Sequence, residues 1–327
     1  MQDDAGDPPI SVDRAQGISE DILDELSETV ITSETFLETL LTGVLAQQHV
    51  LIEDVPGTGK TLTAQSLAEV LGLEFNRIQF TPDLFPSDIT GSTIFNEQEG
   101  SFEYNEGPIF SNIVLADEIN RAPPKTQAAL LEVMEEKQVS VGDATRSLPT
   151  PFFVIATQNP VEQEGTFELP ESQRDRFIIK TSIGYPDRAG EQELLTRRVD
   201  RMAAAPSAQQ VIEPDIFETV QQVPEYIHVS PEIRDYILDI GRATREYEGT
   251  DVGVSPRGIQ RLLEATRARA VLRGREYVVP DDVKSLAIPV FAHRIFLSSA
   301  SMIEGASRRD IIEAVLQEVD VPAMEAV

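Results

Sequence analysis

The chain has 327 residues, enough for one large domain or two, and its 41% hydrophobic content is ample for a core. Its 27 basic against 56 acidic residues leave a formal net charge of −29 and a pI near 4.4, which makes a surface that repels nucleic acid and anionic membranes. With no cysteine there are no disulfides, thiolate zinc sites or cysteine nucleophiles, and three scattered histidines (His49, His228, His293) make a poor metal set.

The opening MQDDAGDPPI has neither a basic n-region nor an apolar h-region, and no hydrophobic run reaches membrane-spanning length. The chain therefore reads as intracellular, cytoplasmic and without a membrane segment. Residues 1–18 are polar, carry Gly6, Pro8, Pro9 and Gly17, and read as a disordered lead-in. Helical patterning follows from about Ser19 to Leu45.

The stretch HVLIEDVPGTGKTLTAQSLAEVLG, from His49, joins three signals. Val50, Leu51 and Ile52 form a short apolar run that reads as a buried strand, and Leu62, Ala64, Leu67, Ala68 and Leu71 recur at helical spacing up to the stop at Gly72. Between them lie Asp54, Val55, Pro56, Gly57, Thr58 and Gly59, followed by Lys60 and Thr61. A glycine turn at a helix N-terminus aims backbone N–H groups and the positive end of the dipole at one point, which suits a polyphosphate. Lys60 can reach the β- and γ-phosphates, and the Thr61 hydroxyl can ligate Mg²⁺. Asp54 stands where the GxxxxGK[ST] pattern has its first glycine, and aspartate tolerates unusual φ better than most residues, so the turn is expected to survive.

Further strand-like segments at 75–80, 113–116, 152–157 and 176–180 bring the total to five, separated by helices or insertions, and predict a parallel α/β sheet. Residues 89–110, turning around Glu97–Gly100, and 138–149, turning at Gly142-Asp143, read as β-hairpins. After Pro186 only helical patterns remain, in 191–201, 214–223, 231–247, 257–272 and 281–297. The expected organisation is an α/β domain over 19–185 and an all-helical domain over 186–327.

In NIVLADEINRAPPKTQAALLEVMEE, from Asn112, a buried strand delivers Asp117 and Glu118 at its C-terminal end, where open α/β sheets bind ligands. Adjacent strand residues point to opposite sides. Asp117 can then hold Mg²⁺ while Glu118 orients and deprotonates a water. The same acidic pair could also simply begin a loop or cap the next helix.

The segments EDVPGTGKT, LADEINRAPPKTQAALLEVMEE, ATQNPVEQEGTFELPESQRDRF and GVSPRGIQRLLEATRARAVLRGREYV resemble the MoxR family of AAA+ ATPases, over roughly residues 20 to 320. The family's own motif likewise reads EDVPG, so Asp54 is a family trait. The resemblance implies a P-loop NTPase core with a five-stranded parallel sheet, hairpin insertions of the helix-2-insert clade and a helical lid. It also implies ATP and Mg²⁺ as cofactors, assembly with copies of itself into a ring, expected to be hexameric, and chaperone action on a client, with a partner bearing a von Willebrand A domain.

Carried over residue by residue, Asn159 becomes sensor 1, its amide reaching the γ-phosphate or the attacking water, although Asn-Pro also starts turns. Arg257, in the first turn of a helix capped by Ser255, becomes sensor 2, expected to reach the γ-phosphate as the lid closes. The arginine finger goes to Arg176, with Arg174 as the other candidate because the family pattern has an aliphatic residue there. Other readings within the clade are a DNA motor, which the acidic surface and a hairpin with Arg146 and no lysine make a poor fit, and a magnesium-chelatase-type motor. Only five of the 27 basic residues are lysine, and that balance with dispersed Glu and Asp resembles proteins of organisms that accumulate molar salt.

Overall fold

The computed structural model describes residues 7–97, 100–141, 144–161, 166–167, 169–200 and 207–323. Helices α1 (Val12–Thr29) and α2 (Glu34–Leu45) lead into strand β1 (His49–Glu53), then α3 (Lys60–Leu71), β2 (Phe75–Gln79) and the short α4 (Pro86–Thr90). A hairpin of β3 (Gly91–Asn96) and β4 (Ser101–Glu106) precedes β5 (Ile113–Asp117) and α5 (Pro124–Glu136). A second hairpin, β6 (Gln138–Val141) with β7 (Ala144–Ser147), is followed by β8 (Phe153–Gln158), α6 (Glu171–Arg174) and β9 (Phe177–Thr181). Both hairpins stand where the alternation placed them; the central residues 98 and 99 of the first expected turn, and the expected turn at Gly142-Asp143, lie outside the described residues.

The five core strands run parallel in the order β2-β5-β8-β1-β9. Side-chain alternation assigns them to two apolar layers. Val50 and Ile52, Ile113 and Leu115, and Phe153 and Ile155 face the cluster built with α1, α2 and α3. Leu51, Val114, Ala116, Val154 and Ala156 face the opposite cluster, packed with α5. Continuous apolar runs are what a strand buried on both faces requires.

Beyond β9 come α7 (Arg188–Asp200), α8 (Pro214–Val220), α9 (Pro231–Glu246), strand β10 (Thr250–Val252), α10 (Pro256–Leu272), α11 (Pro280–Phe291), strand β11 (Phe296–Leu297), α12 (Ser299–Glu304) and α13 (Arg308–Glu318). The lid is thus not wholly helical: β10 and β11 pair antiparallel and clip the end of α9 to the chain after α11. Strands of two or three residues are too short for alternation to reveal. Ile240, Leu262, Ala265, Leu286 and Phe291 of the lid belong to the same apolar cluster as Val50 and Ile52, so the lid is seated on the sheet layer through a continuous core.

The expected lead-in over 1–18 is corrected at its C-terminal end. Ser11 accepts a bond from the Arg14 N–H at 3.2 Å and caps α1 at Val12. Val12, Ala15, Ile18, Ile22 and Leu26 form a buried stripe against the core. Steps of three and four residues among Asp, Arg and Gln leave the local average polar while one face is apolar. Among the described residues no helix is long and apolar enough to cross a membrane.

Candidate active site

Strand β1 ends at Glu53, and α3 starts at Lys60 with Gly59 as its N-cap. Gly57 and Gly59 take φ of +86° and +92°, a region that side chains with a Cβ rarely enter. A Cβ added at either would meet nothing within 4 Å, so the loop needs glycine for its backbone sign, and the space above it is open to a ligand. Lys60 Nζ folds back onto the carbonyl oxygens of Asp54 (2.8 Å) and Val55 (2.7 Å). Partial burial holds its pKa below the ordinary lysine value, offset by the carboxylates of Asp54, Asp117 and Glu118.

Asp54 does not serve the loop by adopting a left-handed backbone, as the sequence led us to expect. Among the described residues the non-glycine positive φ values belong to Gln47, Glu118 and Lys137. Its buried carboxylate instead accepts from Val55 N–H (2.8 Å), Ser182 Oγ–H (3.0 Å) and Gly184 N–H (2.7 Å). Thr58 Oγ donates to the Val55 carbonyl oxygen and closes the turn.

A cleft of about 450 Å³ opens over this loop, with Pro56, Gly57, Gly59, Lys60, Thr61 and Leu62 on one wall. Asp117, Glu118, Thr157 and Asn159 line the other, joined by Arg77 and Gln79 from β2. Asp117 Oδ2 takes two bonds from Arg77 (Nη2 at 2.6 Å, Nε at 3.1 Å), and its Oδ1 takes the Thr157 hydroxyl at 2.6 Å. The same Thr157 oxygen accepts from Glu118 N–H at 2.9 Å. Glu118 has φ of +56°, a conformation that costs a non-glycine residue about 1 kcal/mol or more and persists mainly at functional sites. Its Oε2 accepts from Gln79 Nε2 (2.8 Å) and Arg121 Nη1 (3.0 Å). Asn159, nearly buried, spends its Oδ1 on the Val161 N–H (3.1 Å), so what it can offer the cleft is its amide N–H₂.

The three arginines lie elsewhere. In the parallel pairing Phe177 stands opposite His49, so Arg176 sits at the N-terminal end of the sheet. The glycine loop lies beyond the C-terminal end of β1, roughly 15 Å away at the ordinary rise per strand residue. Arg176 donates to the Leu131 carbonyl oxygen and pairs with Glu135 Oε2 at 3.1 Å. Arg257 pairs with Glu135 Oε1 at 3.3 Å and approaches Asp175 Oδ2 at 3.8 Å. The expectation that Arg257 reaches the phosphates of its own subunit is corrected for this structure: the lid packs along the edge strand β9, and Arg257 comes to lie beside Arg176 near the N-terminal end of that strand. Arg174 lies with its guanidinium carbon 5.4 Å from the Phe296 ring centroid. Arg294, almost wholly buried, ties the lid to this corner through Asp175 Oδ1 (2.7 Å) and the Phe177 carbonyl oxygen (2.7 Å). Burial lowers its pKa to about 10, against the pull of Asp175.

Sequence reasoning did not find Arg77 and Gln79. Their signal was two polar residues one step of two apart on a short strand, which put both on the face that meets Asp117 and Glu118.

Residues 49–179 match the family model described as ATPase family associated with various cellular activities (AAA), and residues 242–315 match the AAA lid domain. The chain is 40% identical to the chaperone MoxR1 of Mycobacterium tuberculosis over 93% of this chain and 82% of that protein. It is 34% identical to the MoxR protein of Paracoccus denitrificans over 91% and 94% of the two chains. This chain belongs to the MoxR family of AAA ATPases. A crystal structure of a candidate ATPase from Cytophaga hutchinsonii superposes with a TM-score of 0.88 at 39% identity, covering 95% of this chain and 97% of that one. The chain is accordingly an ATP-hydrolysing enzyme built on an α/β core with an AAA lid.

Proposed function

We propose that this MoxR-family ATPase works as a Mg²⁺-dependent hexameric ring that remodels or matures a partner protein, each nucleotide site being completed by arginines of the next subunit. The observation that carries this reading is the pairing of Arg176 and Arg257 on one carboxylate at the end of the sheet farthest from their own cleft. Two cations gathered there have no phosphate to serve within one chain, and a ring turns that end toward a neighbour's cleft.

The residues present fit a magnesium ion. Among the described residues no three acidic or histidine side chains gather as a metal cage, whereas Mg²⁺ prefers one or two protein oxygens, water and phosphate oxygens. Thr61 and Asp117, on facing walls of the cleft, are the oxygens that would hold it, with Asp117 exchanging its Arg77 contact. Held there, it would supply charge neutralisation to the bound phosphates. Lys60 leaves the Asp54 and Val55 carbonyls for phosphate oxygens, Glu118 Oε2 takes the proton of the attacking water, and the Asn159 amide orients that water.

The partner chemistry rests on the chaperone name of a relative, and a protein with a von Willebrand A domain is the companion we expect. A DNA track is disfavoured by the −29 charge. The test is Glu118→Gln, purified with ATP, Mg²⁺ and molar KCl. Sedimentation should give a six-subunit particle, and the trapped ring should retain a protein partner identifiable by mass spectrometry. A protein that stays monomeric under those conditions ends the ring reading.

A further inference from the structure

Asp54 occupies the place of a loop glycine yet makes no use of glycine-like freedom. Its carboxylate joins two parts of the chain that sequence keeps far apart. Oδ1 holds the Val55 N–H inside the nucleotide loop, and Oδ2 holds Ser182 and Gly184, in the segment between the end of β9 and the start of α7. Gly184 turns there with φ of +73°, which leaves its N–H aimed at the carboxylate. The segment is also the chain's passage from sheet to lid. Ser182 and Thr181 line a cavity of about 680 Å³ whose other wall is the lid's Ile288, Phe296 and Met302.

The same residue is tied to nucleotide occupancy from its other side. Lys60 Nζ rests on the Asp54 and Val55 carbonyl oxygens, contacts it must give up to reach phosphate oxygens. The backbone of Asp54 thus feels Lys60 while its side chain holds the entrance to the lid.

We infer that Asp54 is a positioning residue that couples phosphate binding at the loop to the segment 182–187, and through it to the lid. The inference rests on the nucleotide site described above. With the loop empty, Lys60 and the linker both pull on Asp54. With phosphates bound, Lys60 departs, Asp54 shifts, and the bonds to Ser182 and Gly184 carry that shift to the lid passage. A free glycine at this position would close the loop but leave the passage uninformed.

The experiment compares the full-length protein with Asp54→Gly, Asp54→Asn and Ser182→Ala, each with and without a non-hydrolysable ATP analogue and Mg²⁺. Amide hydrogen exchange is read at 54–62 and at 182–190, with Gly184 as the central reporter, alongside nucleotide Kd and steady-state kcat and KM. In the parent, nucleotide should change exchange in both windows by a factor of about five or more. In Asp54→Gly the loop window should still respond while the 182–190 window no longer does, and kcat should fall about tenfold with Kd moving by about threefold at most. Asp54→Asn keeps one acceptor and should fall between, and Ser182→Ala should weaken the linker response while retaining the Gly184 bond.

An Asp54→Gly protein whose linker window responds as the parent's does would overturn the coupling. So would loss of nucleotide binding in step with kcat, which would make Asp54 a strut of the loop alone. If Asp54→Gly does not fold, an unchanged linker response in both Asp54→Asn and Ser182→Ala overturns it equally. A parent whose 54–62 window ignores nucleotide would instead indict the site itself, a failure distinct from that of the coupling.

Discussion

Arg176 Nη2 stands 3.1 Å from Glu135 Oε2, and the other oxygen of that carboxylate takes Arg257 at 3.3 Å. One anion therefore holds two cations, one from the strand edge and one from the lid. All three side chains are partly exposed, so such pairs contribute roughly 0–1 kcal/mol each and release easily to a stronger anion. A neighbour's γ-phosphate is such an anion.

Arg176→Ala should bind nucleotide with near-parental affinity and lose ATP turnover by a factor of roughly 10³ or more. Mixed with Lys60→Ala it should regain some activity, because an Arg176→Ala subunit keeps its own nucleotide cleft and a Lys60→Ala neighbour still donates an intact arginine. Steady-state ATPase assays of mixed rings, with co-assembly verified by native mass spectrometry, check this. Arg174→Ala and Arg257→Ala belong in the same series. Absence of rescue in rings that contain both proteins would return Arg176 to a structural role beside Leu131.

Within the cleft, Lys60→Ala should abolish nucleotide binding, whereas Glu118→Gln should preserve binding and stop turnover. Gln79 and Arg121 both donate to Glu118 Oε2, and while they do they occupy the oxygen that an attacking water would have to reach. Gln79→Ala should therefore raise the basal rate by a few-fold, in proportion to the roughly 1 kcal/mol of one released hydrogen bond. Single-turnover kinetics would separate this effect from product release. A parental rate in Glu118→Gln would remove that residue from the role of base.

The two short motifs that line the cleft were legible before the structure: the glycine loop with Lys60 and Thr61, and Asp117-Glu118 at a strand end. The five short apolar runs were legible as the strands of one parallel sheet. What the sequence hid was long-range. The partners of Asp54 lie 128 and 130 residues away, and the pairing of Arg77 with Asp117 spans 40 residues. Arg257 sits in a well-capped helix that any reading would find, but nothing in its spacing tells where along β9 the lid sets it. That depends on how the apolar faces of α10 and α11 seat against the common core. The start of α1 was masked by averaging, since its stripe is one residue in three or four among charges.

Charge repulsion offers a test that does not involve catalysis. At −29 the chain should repel itself most when counterions are scarce. Screening lengthens from about 3 Å in 1 M salt to about 10 Å at 0.1 M. The melting temperature should climb on the order of 10 °C between low and molar KCl, equivalent to a few kcal/mol for a chain of this size. A curve that flattens by about 0.2 M would fit an ordinary acidic protein and discard adaptation to molar salt.

The pH dependence of stability should carry the mark of His49. Its Nδ1 accepts the Val154 N–H at 2.9 Å and its Nε2 lies 3.0 Å from the Met134 carbonyl oxygen, so the neutral ring with its proton on Nε2 satisfies both partners. Protonating Nδ1 would set a donor against a donor inside the core. Burial is the largest cause of the depressed pKa, about 4 against an ordinary 6.5, partly offset by the Met134 carbonyl and assisted by Lys137 and Arg261. Between those values the unfolded chain binds a proton that the folded chain refuses. Stability from this group is then fully present above about pH 6.5 and is lost as pH falls toward 4, by about 3 kcal/mol in all. His293, also buried and held well below its ordinary value by desolvation and Arg294, pulls in the same direction. His49→Gln keeps a donor and an acceptor without a titrating group, so its denaturation free energy should lose that share of the slope between pH 6.5 and 4 while His293 and the carboxylates continue to contribute theirs. Chemical denaturation at constant molar KCl measures both curves. Parallel curves for the two proteins would show that His49 does not set the acid sensitivity, and an NMR titration of its ring in the parent gives an independent check should the variant fail to fold.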